Sequence, residues 1–77
     1  MNELYNKGCA CLEQGDYKSA VEYLTSAAEA GYVEAQYILG VAFNNGNQYI
    51  ERDRKRGMFW MRKAAENGHE KALNYMK

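Results

Sequence analysis

Two cysteines two residues apart, Cys9 and Cys11, and one histidine, His69, are the side chains best suited to metal or redox chemistry. On a helix, residues two apart point about 200° from each other, so this pair neither shares one ion nor closes a disulfide within its helix. With no second cysteine pair and a single histidine, the sequence implies no metal site and no cofactor. Cys11 reads as an apolar core residue and Cys9 as a free thiol, which fits a reducing compartment. His69 follows Gly68 at a helix start and reads as a surface residue. The acids are scattered over helix exteriors, no Gly-rich phosphate loop occurs, and no Ser-His-Asp or Cys-His grouping is formed. The expectation is a protein that is not an enzyme.

The densest charge is Arg52-Asp53-Arg54-Lys55-Arg56. Four cations at a helix start oppose the helix macrodipole, so their placement is mildly unfavourable for folding alone. A basic edge of Arg52, Arg54, Lys55 and Arg56 has three readings: a solvated face, a contact for an acidic protein, or a weak phosphate-binding site for nucleic acid. The chain is neutral overall, with ten basic and ten acidic residues, which disfavours nucleic acid as the partner. The charge is nonetheless lopsided: residues 1–50 sum to −4 and residues 51–77 to +4. Such a dipole bears on association and makes head-to-tail pairing of copies a structural alternative.

These residues ride on helices. Tyr17, Ala20, Val21, Leu24, Ala27 and Ala28 form one stripe at a 3.6-residue period. Asp16 is a natural N-cap, and Gly15 and Gly31 are natural stops. The spacing predicts helices near 2–14, 17–30, 33–45, 54–67 and 69–77. Asn44-Asn45-Gly46-Asn47 breaks the third and Asp53 caps the fourth. Gly8 and Ala20, then Gly40 and Gly57, are the small residues that let paired helices approach. Leu24, Phe43, Trp60 and Met61 are expected to fill the space between units, with Trp60→Ala costing about 3–5 kcal/mol. Tyr49 and Ile50 are apolar loop residues that either fold back onto the hairpin or form a contact surface.

The chain has 77 residues, 47% hydrophobic and 26% charged, and no proline. That is room for one small domain with a thin core. No run of about 20 apolar residues spans a membrane. The opening MNELYNKG is no secretory signal, so the expected location is cytoplasmic.

Residues 23–35, YLTSAAEAGYVEA, return 37 residues later as WMRKAAENGHEKA. A period of this length marks stacked helical hairpins. Ala35-x-x-x-Leu39-Gly40-x-x-Phe43-x-x-Gly46, then Asp53, Trp60, Lys63-Ala64-Ala65, Gly68 and Ala72, resembles the Sel-one-like repeat of the tetratricopeptide-like superfamily. Three departures accompany the match: Phe43 replaces a usual Tyr, Gly57 replaces a usual Ala, and the loop after Gly46 runs one residue longer. The first unit, with Leu4, Gly8, Ala20, Leu24 and Ala27, resembles a plain tetratricopeptide repeat, with Cys11 in place of the usual Tyr.

The resemblance implies an all-α, right-handed stack in one domain, 1–77: unit one over 2–31, unit two over 33–68 and a closing helix over 69–77. It implies an adaptor, a scaffold or a small inhibitor that binds another protein or peptide in a concave groove. By family position that groove is lined by Tyr5, Asn6, Cys9 and Leu12 from the first helix and by Tyr37, Ile38, Val41 and Asn44 from the third. Asn74 and Tyr75 come from the last. Tyr5 and Cys9 stand where related domains begin a carboxylate clamp, so the resemblance implies no such clamp here.

Overall fold

The computed structural model describes residues 3–47 and 50–76. Five helices follow one another: α1 (Glu3–Gln14), α2 (Tyr17–Glu29), α3 (Val33–Asn45), α4 (Arg54–Glu66) and α5 (Glu70–Tyr75). α1 packs on α2 and α3 on α4. α2 also packs on α3, and α5 closes against α4. The expected helices are all present, two of them one residue shorter at the C-terminal end and α5 shorter at both ends. Residues 2, 49 and 77, including Tyr49, lie outside the described residues.

The repeated Ala-Ala-Glu-x-Gly segment is a helix terminator. Gly31 N–H donates to Ala28 O and Tyr32 N–H to Ala27 O, each at 3.0 Å. One repeat later Gly68 donates to Ala65 O and His69 to Ala64 O, again at 3.0 Å. This crossed pair of bonds is a Schellman ending, which requires a left-handed residue at the glycine. Gly31 and Gly68 take φ values of 96° and 86°. The alanines of the frame are small because Ala27, Ala35, Ala64 and Ala72 are fully buried where helices meet. Asp16 caps α2 through Ser19 N–H, and Asp53 caps α4 through Arg56 N–H.

Close helix contact depends on the helical glycines. A Cβ on Gly8 would lie 2.6 Å from Leu24 Cγ, and one on Gly40 would lie 3.0 Å from Met61 N and Cε. Leu24, Leu39 and Met61 are the largest fully buried side chains. One cluster gathers Leu24, Ala27, Leu39, Phe43 and Ile50, and a second gathers Met61, Ala64 and Ala72. Ile50 therefore folds back onto the hairpin.

Two core expectations are corrected. Trp60 is only partly buried, at the margin of the first cluster, because the adjacent residue Met61 takes the inward direction over Gly40. Cys11 is likewise only partly buried and stands apart from both clusters.

Candidate protein-interaction surface

Gly8 and Gly40 occupy the same place in α1 and α3, each against the second helix of its hairpin. This register pairs Tyr5 with Tyr37, Asn6 with Ile38 and Cys9 with Val41. The 37-residue repeat then sets Asn74 and Tyr75 in line with Tyr37 and Ile38. The structure shows what the tyrosines do. The Tyr5 ring packs on Tyr32 at 4.8 Å between centroids, tilted by 50°. The Tyr37 ring stacks on His69 at 4.4 Å and 13°. Tyr32 and His69 are equivalent repeat positions, so this is one contact made twice: a first-helix tyrosine held by the residue preceding the next first helix. Burial, followed by a hydrogen bond with Cys9, pushes the Tyr5 phenol up to about 12.

His69 does more than the sequence indicated. Its side chain is only 8% exposed, which corrects the surface assignment. Nδ1 accepts the Ala72 N–H at 3.3 Å and so caps α5. With Nδ1 accepting, the neutral ring carries its proton on Nε2, which donates to Glu34 Oε1 at 2.7 Å. Cap, pair and stack together fasten α5 to the start of α3. The signal in the sequence was the register of His69 with Tyr32.

Asn44 is the clear departure from the expected groove. It is 6% exposed and sits against Gly57 of α4, inside the second hairpin. Its Nδ2 donates to Met58 Sδ at 3.7 Å, while Oδ1 has no hydrogen-bond partner among the described residues. The missing side chain at Gly57 leaves the slot that Asn44 fills, so Asn44 belongs to the α3–α4 contact and lines no groove. Leu12 and Ile38 are partly buried against the first cluster, and Tyr37 and Val41 against the second. Asn6, Asn74 and Tyr75 are exposed, and Cys9 and Tyr5 partly so.

The basic edge divides. Arg52 and Arg56 face α2 across a hollow of about 620 Å³ whose walls include Tyr17, Val21, Phe43 and Ile50. Arg56 lies 5.8 Å from the Phe43 ring centre and pairs with Asp53 at 3.5 Å. Arg54 and Lys55 turn away and line a separate hollow of about 460 Å³ with Met58, Phe59 and Arg62. Phe59 is 52% exposed, and the sequence reading did not single it out.

Cys9 and Cys11 are free thiols. Among the described residues no three His, Cys, Asp or Glu side chains gather as a metal site, and no helix is long and apolar enough to cross a membrane.

A family model for the Sel1 repeat matches residues 3–32 and again 33–69. The first unit, whose spacing resembled a plain tetratricopeptide repeat, thus matches the same family as the second. No curated protein and no solved structure matches the chain.

Proposed function

Because the chain belongs to the Sel1 repeat family, whose repeats generally mediate protein–protein interaction and are non-catalytic, we propose that it is a recognition module that holds a protein or peptide on the α1–α3–α5 face. The observation that carries this reading is the doubled aromatic contact, Tyr5 on Tyr32 and Tyr37 on His69. Rings already fixed in the free protein lose little entropy on binding. Around them Asn6, Cys9 and Val41, Asn74 and Tyr75 supply amide, thiol, aliphatic and phenolic groups at repeat spacing. An adaptor, a scaffold or a small inhibitor is a role that fits such a face.

The test is affinity purification from native cells after nuclease treatment, with the parent chain and an Asn6→Lys/Tyr75→Ala variant. Both residues are exposed, and a thermal melt checks that the variant keeps the parent fold. A stoichiometric protein partner lost with the variant supports the reading; a partner retained at parent level removes this face as the site.

Self-assembly is a second reading, favoured by the outer side of α5. Met76 stands at the register of the fully buried Leu39 yet is 36% exposed, beside exposed Leu73 and Tyr75. At the other end Glu3 and Lys7 take the places of Ala35 and Leu39, so that end is polar and complementary in charge alone. Light scattering that reports a monomer at low salt and high concentration removes this reading.

A further inference from the structure

The two second helices, α2 and α4, occupy equivalent places, and the 37-residue register aligns them residue by residue. Their outward positions differ sharply. Where α2 carries Ser19, Glu22, Thr25 and Ser26, α4 carries Arg56, Phe59, Arg62 and Lys63, and the exposed Arg54 stands at the register of Tyr17, which packs on the first cluster. The other exposed positions agree between the two helices, as Lys18 with Lys55 and Glu29 with Glu66. The first hairpin folds with polar, mostly uncharged residues at these sites, so neither the aromatic ring nor the extra cations are needed to build the second.

Phe59 stands in the exposed place held by Glu22 in unit one. It is a ridge between two hollows. Arg54, Lys55, Met58 and Arg62 line one of about 460 Å³. Trp60, Lys63, Glu29, Gly31 and Gln36 line part of the other, of about 420 Å³. Lys63 lies 5.7 Å from the Phe59 ring centre, and Trp60 meets its edge at 5.0 Å and 80°. Among the described residues only Arg56 of the five cations on α4 makes an ion pair, and Glu66 is the one acid on the helix. An aromatic ring set beside Arg54, Lys55, Arg62 and Lys63, with Glu29 the one acid among the residues lining its two hollows, suits a partner that brings carboxylates together with an apolar anchor.

We propose that the outward face of α4 is a docking surface for an acidic protein segment carrying an aliphatic or aromatic anchor. The anchor lies beside Phe59 and Met58, and the carboxylates meet Arg54, Lys55, Arg62 and Lys63. The other half of the chain carries −4, which repels a long polyanion but leaves a short acidic segment free to seat on one helix. α4 has 13 residues, or about 20 Å, which matches a partner of about four helical turns. The proposal rests on the protein-recognition reading above but not on the α1–α3–α5 face.

The probe is a fluorescent peptide of about 15 residues, four helical turns, made of Glu and Leu at helical spacing, followed by anisotropy. Its controls are a Lys-for-Glu counterpart, an all-Glu peptide and a single-stranded oligonucleotide. Phe59→Glu installs the residue that unit one carries at this register, and a melt confirms that it folds. The expected results are binding of the Glu–Leu peptide alone, weakening with salt, about tenfold weaker binding in Phe59→Glu and in Arg62→Glu/Lys63→Ser, and no change in Tyr75→Ala. Four results overturn the proposal. No binding above the all-Glu control removes the anchor. Equal binding of the Lys peptide removes the charge argument. Stronger binding of the oligonucleotide assigns the face to nucleic acid. Loss in Tyr75→Ala with retention in Phe59→Glu moves the peptide to the α1–α3–α5 face, where the recognition reading survives without this one.

Discussion

Gly57→Ala is the substitution that tests the α3–α4 contact most directly. In an open helix the change favours folding by about 1 kcal/mol. Here the new Cβ would stand 2.6 Å from Asn44 Cγ and 2.8 Å from Asn44 N, and against Oδ1 as well. Comfortable contacts lie near about 3.5–4.0 Å, so both must open by about 1 Å. The carboxamide can rotate, but the amide nitrogen belongs to the α3 backbone and moves only if α3 lifts off α4. Overpacking then costs about 3 kcal/mol, the upper end of its usual range. The net loss is about 2 kcal/mol, out of roughly 4–12 kcal/mol for a domain of this size. Thermal melting by circular dichroism should drop by roughly 8–16 °C. Asn44→Ala in the same chain removes the side-chain part of the clash and should return about 1 kcal/mol as a coupling between the two sites. A Gly57→Ala protein that melts at or above the parent temperature would refute the close approach. Strictly additive effects would show that Asn44 is not the obstacle.

Three further outcomes follow from the same packing. Met61→Ala should cost about 2–5 kcal/mol and exceed Trp60→Ala, since Met61 is fully buried and Trp60 is not; the opposite order in denaturant melts would reverse that assignment. His69→Ala should cost about 1–2 kcal/mol through loss of the α5 cap, whereas His69→Asn should recover part of it; hydrogen exchange faster at Leu73 and Met76 in the alanine variant alone would locate the effect, and unchanged exchange in both would deny it. Tyr5, pushed up to about 12 by burial and then Cys9, should give a late phase near that pH in a phenolate absorbance titration. Its raised value contributes full stability below its ordinary value of about 10, and that contribution is lost as pH rises through about 12. Tyr5→Phe should delete the late phase; a parent curve with no late phase would contradict the burial.

The helices, their caps and their stops were determined by the sequence itself, because they rest on interactions within a few residues. Asp16 and Asp53 cap their own helices. Ala-Ala-Glu-x-Gly closes a Schellman turn with its own backbone. The small residues Gly8, Gly40 and Gly57 were also legible as contact points, since nothing else explains glycine inside a helix. Which side of each helix faces inward was decided by the tertiary structure. Adjacent residues on a helix point about 100° apart, so the rotation of α4 about its axis decides that Met61 and not Trp60 enters the core and leaves Phe59 in solvent. The same rotation brings Gly57 onto α3 and draws Asn44 in to fill its slot, out of the face to which the repeat pattern assigned it. His69 became a cap and a stacking partner only because α5 folds back beside the start of α3, where Glu34 and Tyr37 meet it. Local chemistry determined what the elements are; the crossing of one helix over another decided which side chains they show.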